Sequence, residues 1–249
     1  MISIKSEREI ELMRYAGHIN YLTHEELKKH IKPGIKTIEL DRIAYNFIIK
    51  HDCIPSQLGF EGYPNTICIS INDEVVHGIP SNRKLKEKDI VSIDFCVGYK
   101  GYHSDAARTY IVGKVDKDRE DLVKNTKEAL YIGLSKVRNG VKIGDISHAI
   151  ESFAHSKGLS VVEELVGHGV GSSIHEEPDI PNFGEPNKGK ILKSGMTIAI
   201  EPMLNLGKKQ VCLTDQDDWV IVTKDGSPSA HFEHTVLVTD EGYEILTGE

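Results

Sequence analysis

The order of predicted elements indicates an α+β fold built from two similar halves. Each half reads as two helices followed by a group of strands, an order typical of α+β proteins. The segment Gly34–Phe47 recurs as Gly140–Phe153 at an offset of 106 residues, and Ile90–Asp94 recurs as Thr197–Glu201 at an offset of 107. Two separate matches at nearly one offset favour duplication over chance. We therefore expect a single domain over residues 1–249, with halves at about 1–113 and 114–249.

Four helices are predicted from capping signals and apolar spacing. The first begins at Ser6, where Ser-Glu-Arg-Glu is a capping box, and ends near residue 32, before a Pro-Gly pair. The second spans about residues 37–47, with apolar residues at helical spacing. The third covers about 118–137 and the fourth about 145–157, each closed by a glycine. Apolar runs predict strands at residues 66–71, 90–96, 161–166, 196–201, 219–223 and 233–238.

Composition excludes several classes of protein. The chain has 249 residues, 30 basic and 38 acidic, for a net charge of −8. Nucleic-acid binders normally carry a basic stripe, so a nucleic-acid partner is not expected. No apolar run approaches the roughly 20 residues of a spanning helix, and the charged N-terminus is unlike a signal peptide. The four cysteines are scattered without a CxxC pair, so we expect a cytoplasmic protein with reduced thiols.

Residues 93–105 are predicted to form a hairpin that carries two acids. Gly98 and Gly101 flank a two-residue tip, and pairing about this tip joins residues whose numbers sum to 199. Asp94 and Asp105 would then face each other, with Cβ atoms about 5 Å apart. Two carboxylates in this position repel unless a cation or a proton lies between them. Because Asp94 follows an apolar run, we favour a metal site over two solvated turn acids.

The second half supplies further candidate ligands. Glu201 and Glu233 lie at the ends of apolar strands, where an unpaired acid is costly. His168 lies in Gly-His-Gly, where the glycines allow other groups to come close. With the hairpin acids these residues form an oxygen-rich set suited to two divalent ions such as Mn, Fe or Co, with Zn as an alternative. His77 and His175 also lie among glycines, acids and prolines, although any one of the 12 histidines is more often structural.

Several ordered motifs resemble the methionine aminopeptidases of the bacterial type I branch, and the resemblance covers essentially the whole chain. The motifs are Tyr63–Asn72, His77–Pro80, the Asp94–Asp105 hairpin, Gly167–Gly171, Ile174–Pro178, Ala199–Met203 and Phe232–Thr235. This family has the pita-bread fold, two pseudo-symmetric halves around a central antiparallel sheet and a dinuclear metal site. The resemblance therefore implies the same architecture that the internal repeat predicts.

Carried over residue by residue, the resemblance assigns the site. The implied metal ligands are Asp94, Asp105, His168, Glu201 and Glu233, with Asp105 and Glu233 bridging the two ions. A metal-activated water or hydroxide would be the nucleophile, and Glu201 the general base. His175 would stabilise the oxyanion, and His77 would contact the scissile amide. The implied methionine pocket is lined by Phe60, Tyr63, Cys68, Ile174 and Trp219, together with His77 and His175.

The resemblance also implies cofactors, partners and two departures from relatives. A structural monovalent cation is implied near Asn72 and Ser229. Ile174 stands where some relatives have Phe, and Glu61 where relatives often have a His or a neutral polar residue. The implied partners are nascent polypeptide N-termini, with ribosome docking open and a monomer expected.

The leading interpretation is a metal-dependent aminopeptidase that removes the initiator methionine and favours a small second residue. One alternative is a proline-specific aminopeptidase or dipeptidase of the same fold. Those relatives usually carry an additional N-terminal domain, whereas the first helix here is predicted from Ser6. Another alternative is a non-catalytic pita-bread module that binds peptides, ribosomes or nucleic acid. Such members lose metal ligands, and here all five are present.

Overall fold

The computed structural model describes residues 2–214 and 217–248. Its four helices are α1 (Glu7–Lys28), α2 (Thr37–Lys50), α3 (Lys117–Leu134) and α4 (Ile143–Ser156), with a single 3-10 turn at Phe60–Gly62. All four α-helices were predicted. Helix α1 ends at Lys28, four residues before the predicted stop and ahead of the Pro-Gly pair. None of the helices in the described ranges is long and apolar enough to cross a membrane.

Fifteen short strands within the described residues pair only in antiparallel fashion. They are β1 (Ile54–Pro55), β2 (Cys68–Ile71), β3 (Glu74–Val76), β4 (Ile90–Tyr99), β5 (Tyr102–Ile111), β6 (Ser160–Val161), β7 (Gly167–Gly169), β8 (Glu176–Ile180), β9 (Thr197–Ile200), β10 (Met203–Asn205), β11 (Val211–Leu213), β12 (Ile221–Thr223), β13 (Ser229–His231), β14 (His234–Val238) and β15 (Tyr243–Ile245). The largest sheets are β1-β4-β2, with β5 also on β4, and β15-β14-β9-β7-β8. Two three-stranded sheets, β13-β10-β6 and β11-β12-β3, flank them.

The two halves repeat the same local structure at the offset found in the sequence. Helices α2 and α4 have equal length and begin 106 residues apart. Each is preceded by a lysine N-cap, and the third helical residue, Glu39 or Asp145, accepts a hydrogen bond from that lysine's backbone N–H. Each N-cap also forms an isolated β-bridge, Lys36 with Lys84 and Lys142 with Ile191. These matched contacts explain why the short sequence repeat predicts real structural equivalence.

Each half has its own apolar core under its helix pair. One buried cluster gathers residues between Ile19 and Val112, from α1, α2 and strands β2 and β4. A second gathers Ile90 and residues between Leu122 and Val238, from α3, α4 and the strands of the second half. The helices cover one face of the main sheets, so the opposite face is left for the site.

The hairpin of β4 and β5 has a different register from the predicted one. Tyr99 pairs with Tyr102, so paired numbers sum to 201, and Asp94 opposes Ala107 rather than Asp105. The two-residue turn is Lys100-Gly101, with φ of 47° and 86°, the positive angles that suit the twist of a tight hairpin. The direct opposition of the two acids was therefore wrong. A shift of two positions preserves the face, however, so both carboxylates still point to the same side.

The predicted strand at 161–166 was also largely wrong. Only Ser160–Val161 pairs, with β10, and the chain then turns away at Glu163 and Glu164. Two adjacent acids are unfavourable in a buried strand, which accounts for its early end.

Two threonines join β5 to the strands β14 and β13 of the second half, where no continuous ladder forms. Thr235 Oγ1 accepts from Asp105 N at 2.8 Å and donates to Asp105 O at 2.7 Å. Thr109 Oγ1 does the same with the backbone of His231, at 2.9 Å each. Midway between them, Glu233 N donates to Ala107 O at 2.9 Å. The central antiparallel arrangement expected from the sequence thus joins β5 to both β13 and β14 through these contacts, which places Asp105 beside Glu233.

Candidate metal centre and active site

The five residues predicted as metal ligands converge at the junction of the two sheets. Three lie in strands, Asp94 in β4, Asp105 in β5 and His168 in β7, whereas Glu201 directly follows β9 and Glu233 directly precedes β14. Ligand atoms within 4.8 Å of one another form three overlapping groups: Asp94 with Asp105 and Glu233; His168 with Glu201 and Glu233; and Asp105 with His168 and His175. Because these groups share members, they make one continuous cluster in the described part of the chain.

Local backbone geometry fixes the orientation of His168. Its Nδ1 lies 2.9 Å from Gly169 O, which leaves Nε2 3.5 Å from Glu201 Oε1. The glycine on either side is required by close packing. A Cβ at Gly167 would lie 2.4 Å from Ala199 O, and a Cβ at Gly169 would lie 2.4 Å from a backbone oxygen of β8. The Gly-His-Gly motif therefore lets three strands approach closely enough to bring the imidazole to the carboxylates.

The clustered carboxylates disfavour one another's charge. Burial, followed by the charges of Asp105 and Glu201, raises the pKa of Asp94 well above its ordinary value. Burial also raises the pKa of Glu233 well above its usual range, and the neighbouring carboxylates add to the shift. Burial raises the pKa of Glu201 to about 8, with His168 opposing this shift and Asp105 adding to it. A bound cation would reverse this balance, because it favours the ionised carboxylates.

Unpartnered oxygens show that the donor set fits a divalent cation. Asp105 Oδ1 and Glu233 Oε1 are both buried and have no hydrogen-bond partner among the described residues. Buried acceptors are normally satisfied, so an orphaned carboxylate oxygen in a polar cluster requires an explanation. Hard divalent cations prefer carboxylate oxygens, and an imidazole extends the choice to Mn, Fe, Co or Zn. The cluster therefore has the composition and the free lone pairs of a metal centre.

The two predicted catalytic histidines lie at the edge of this cluster. His77 has a φ of 61°, and burial, followed by the charges of His231 and His175, lowers its pKa to about 4. His175 lies in the loop before β8, with its ring 4.2 Å from that of His168 in an edge-on arrangement. Both histidines line a cavity of about 480 Å³ that also contains the carboxylates. His77 is thus neutral at pH 7 and available as a hydrogen-bonding group.

A smaller cavity of about 100 Å³ adjoins the first one and shares four of its lining residues, His77, Asp94, Asp105 and His175. Its other walls are Gln57, Phe60, Glu61, Tyr63, Cys96, Ile174 and Trp219. The rings are arranged edge to face, with Tyr63 to Trp219 at 5.2 Å and Phe60 to His175 at 5.5 Å. Four of the five predicted pocket residues line this cavity.

Cys68 is placed differently from the other predicted pocket residues. It is fully buried and does not line the cavity. Its sulfur accepts a hydrogen bond from Gln57 Nε2 at 2.6 Å, so Gln57 rather than Cys68 presents its surface to the pocket.

Two residues near the centre were missed by the sequence reasoning. The thiol of Cys96 donates to Asp105 Oδ2 at 2.8 Å. His231 is 1 % exposed, and its Nε2 lies 3.5 Å from Glu201 Oε2. Strand alternation could have found both, because Cys96 lies two residues after Asp94 and His231 two residues before Glu233.

Comparisons with known proteins identify the family of this chain. The model of metallopeptidase family M24 matches residues 11–240, and the chain belongs to this family. It is similar to methionine aminopeptidase 1 of Bacillus subtilis (strain 168), at 52% identity over 247 residues that cover 99% of each chain. Its structure is similar to that of a methionine aminopeptidase from Thermotoga maritima, with a TM-score of 0.98 at 44% identity over 100% of both chains.

A more distant likeness concerns the fold alone. Prolidase from Pyrococcus furiosus matches with a TM-score of 0.77 at 23% identity, covering 99% of this chain and 65% of that one. Together these structures confirm the α+β pita-bread fold expected from the sequence, and they confirm the predicted family.

Proposed function

We propose that this chain is a methionyl aminopeptidase, a metal-dependent hydrolase that removes the initiator methionine from nascent proteins and peptides and favours a small second residue. The observation that carries the proposal is the opening of the buried carboxylate cluster directly into a small aromatic cavity through His77 and His175. The full-length relatives named methionine aminopeptidases support the same reading.

The cavity suits a methionine side chain. Its walls include the rings of Phe60, Tyr63 and Trp219, and thioethers make favourable contacts with aromatic rings. Ile174 completes the wall with an aliphatic side chain. The free α-amine of the substrate would then lie at the carboxylate end of the cavity, which accounts for exopeptidase action.

The chain's own residues divide the chemistry among them. Asp94, Asp105, His168, Glu201 and Glu233 would hold two divalent ions, with Asp105 and Glu233 shared. Bound divalent ions lower the pKa of water to near 7 and polarise carbonyl groups. Glu201 takes a proton from the attacking water and returns it to the leaving amine. His175 stabilises the negative charge that develops on the carbonyl oxygen, and His77 donates to or accepts from the scissile amide.

The remaining features of the proposal are those that the family resemblance implies. Mn, Fe, Co and Zn are the candidate ions. A structural monovalent cation would lie beside Asn72, whose carbonyl accepts from Ser229 N at 2.8 Å. We further propose that residues 1–249 act as one catalytic domain with halves 1–113 and 114–249, and that the protein is a cytoplasmic monomer that acts on nascent polypeptide N-termini.

A panel of three peptides tests the proposal. Metal-stripped protein is assayed with Met-Ala-Ser, N-acetylated Met-Ala-Ser and Ala-Pro-Ala, with Mn, Co, Fe or Zn added back. We expect cleavage of the free-amine methionine peptide alone, and only with added metal. Cleavage of Ala-Pro-Ala instead would assign the protein to the proline-specific branch. Absence of turnover in protein with bound metal would favour the non-catalytic module.

A further inference from the structure

The loop between β7 and β8 carries both a pocket residue and a catalytic histidine. Ile174 lines the aromatic cavity, and His175 lies edge-on to His168. The loop spans only Val170 to His175 and has no regular structure of its own. His175 is exposed, and its ring contacts are with His168 and Phe60. A further contact holds the loop at its other end.

An ion pair from the N-terminal segment reaches the base of this loop. Lys5 Nζ donates to Glu176 Oε2 at 2.7 Å, and the lysine side chain is only 2% exposed. The other oxygen, Glu176 Oε1, accepts from Ser173 N at 3.2 Å and from Ser172 Oγ at 3.3 Å. Burial raises the pKa of Glu176, but the ion pair with Lys5 and the loop's hydrogen bonds outweigh it, so the pKa lies below its ordinary value. One carboxylate therefore joins Lys5 to the loop backbone.

Backbone and side-chain contacts both hold the lysine in this position. Its backbone N–H donates to Gly195 O at 2.8 Å, which fixes the segment just before α1. Its side chain crosses directly over Gly171, where a Cβ would lie 2.4 Å from Lys5 Cε and 2.6 Å from Nζ. The backbone oxygen of Gly171 accepts in turn from His103 N at 2.9 Å. The loop is thus held by a hydrogen bond from the β4–β5 hairpin and by contact with the Lys5 side chain.

Stability alone gives little reason for such a pair. Replacing a buried ion pair by apolar groups is often neutral or stabilising, because both charges lose their hydration. What the pair supplies here is a fixed position for the loop, because three donors converge on the Glu176 carboxylate next to His175. We propose that Lys5 is a positioning residue that acts through Glu176 to hold His175 and Ile174 in their working places. This inference rests on the proposed function for the roles of those two residues.

The test separates positioning from charge compensation. Lys5→Met removes the donor at similar length, and Lys5→Arg retains it. We expect Lys5→Met to lower kcat for Met-Ala-Ser by about tenfold or more, because displacement of a catalytic group by 1 Å costs up to about 100-fold. Lys5→Arg should recover most of the loss. The matched control is Lys29→Met, which breaks an exposed pair with Glu26 of 2.8 Å and should leave kcat unchanged.

A second readout does not depend on activity. Amide hydrogen exchange at Ser173, whose N–H donates to Glu176, should accelerate about tenfold or more in Lys5→Met. The double variant Lys5→Met/Glu176→Gln leaves no unpaired buried charge, so it also serves if Lys5→Met fails to fold. Low kcat and fast exchange in the double variant support positioning, whereas recovery of both would reduce Lys5 to a counter-ion and overturn the inference. Unchanged exchange and kcat in Lys5→Met would overturn it as well. A wild-type protein that is inactive on methionine peptides would refute the proposed function instead. The exchange result would still decide whether Lys5 holds the loop between β7 and β8 in place.

Discussion

Replacing Gly78 by alanine should displace His77 with little effect on the metal ligands. The added Cβ would lie 2.1 Å from the carbonyl oxygen of Ile69, whereas real Cβ contacts are essentially never below 3.0 Å. The two backbones must therefore separate by about 0.9 Å, since both partners are main chain and neither can rotate away. The hydrogen bond from Ile69 N to Gly78 O, now 2.8 Å, would be strained by the same movement.

A shift of this size has a defined expected cost. Misplacement of a catalytic group by 1 Å lowers the rate by about 100-fold, so kcat/KM of Gly78→Ala for Met-Ala-Ser should fall by roughly that factor. Overpacking should lower the free energy of unfolding by about 1–3 kcal/mol, and metal content should be unchanged. Steady-state kinetics, urea unfolding and elemental analysis measure the three quantities. The control is Gly242→Ala, where a Cβ meets no atom within 4 Å. Activity of Gly78→Ala within twofold of wild type would show that the backbone at Gly78 does not position His77.

Three further predictions concern the metal centre, the contact between β5 and β14, and a buried histidine. Glu233→Gln should weaken metal binding by at least the 10- to 100-fold that loss of a supporting residue costs, and unchanged affinity by calorimetry would exclude it as a ligand. Thr235→Val should lower the free energy of unfolding by about 2–4 kcal/mol, because it leaves the buried backbone N–H and C=O of Asp105 without these hydrogen-bond partners. A loss below 1 kcal/mol, measured by urea unfolding, would contradict this. Burial lowers the pKa of His24 well below 6.5, so only the unfolded chain gains a proton just below pH 6.5. The stability that His24 contributes is then complete above pH 6.5 and falls by about 1.4 kcal/mol per unit below it. His24→Gln should show a fall between pH 7.5 and 5.5 that is shallower by that amount, and an equal fall in both proteins would disprove it.

Local sequence signals predicted the elements and the chemistry better than the pairing. The capping box at Ser6 indicated α1, and apolar spacing, a glycine stop and the repeat indicated α2 and α4, because these features act within a few residues. The hairpin register depended on which glycine forms the turn. Gly98 lies in β4, where a Cβ would be 2.5 Å from Ser56 Oγ. This contact comes from a segment more than 40 residues away, and no local pattern reveals it.

The candidate ligands were predictable because acids at the ends of apolar strands are costly without a partner. Their convergence was less predictable, since it depends on the threonine contacts of β5 with β13 and β14. Thr235 and Thr109 are ordinary strand residues in the sequence, and only the paired sheets show what their hydroxyl groups do. Lys5 likewise carries no signal, because its partner Glu176 lies 171 positions away.

A titration of metal-free protein with Mn²⁺, following bound metal and Met-Ala-Ser hydrolysis in the same sample, tests the catalytic role of the carboxylate cluster most directly. We expect turnover to appear as metal binds, and the Asp105→Asn/Glu233→Gln variant neither to bind the ion tightly nor to cleave the peptide. Full turnover by the metal-free protein, or by that variant, would contradict the claim that this carboxylate cluster is the catalytic centre.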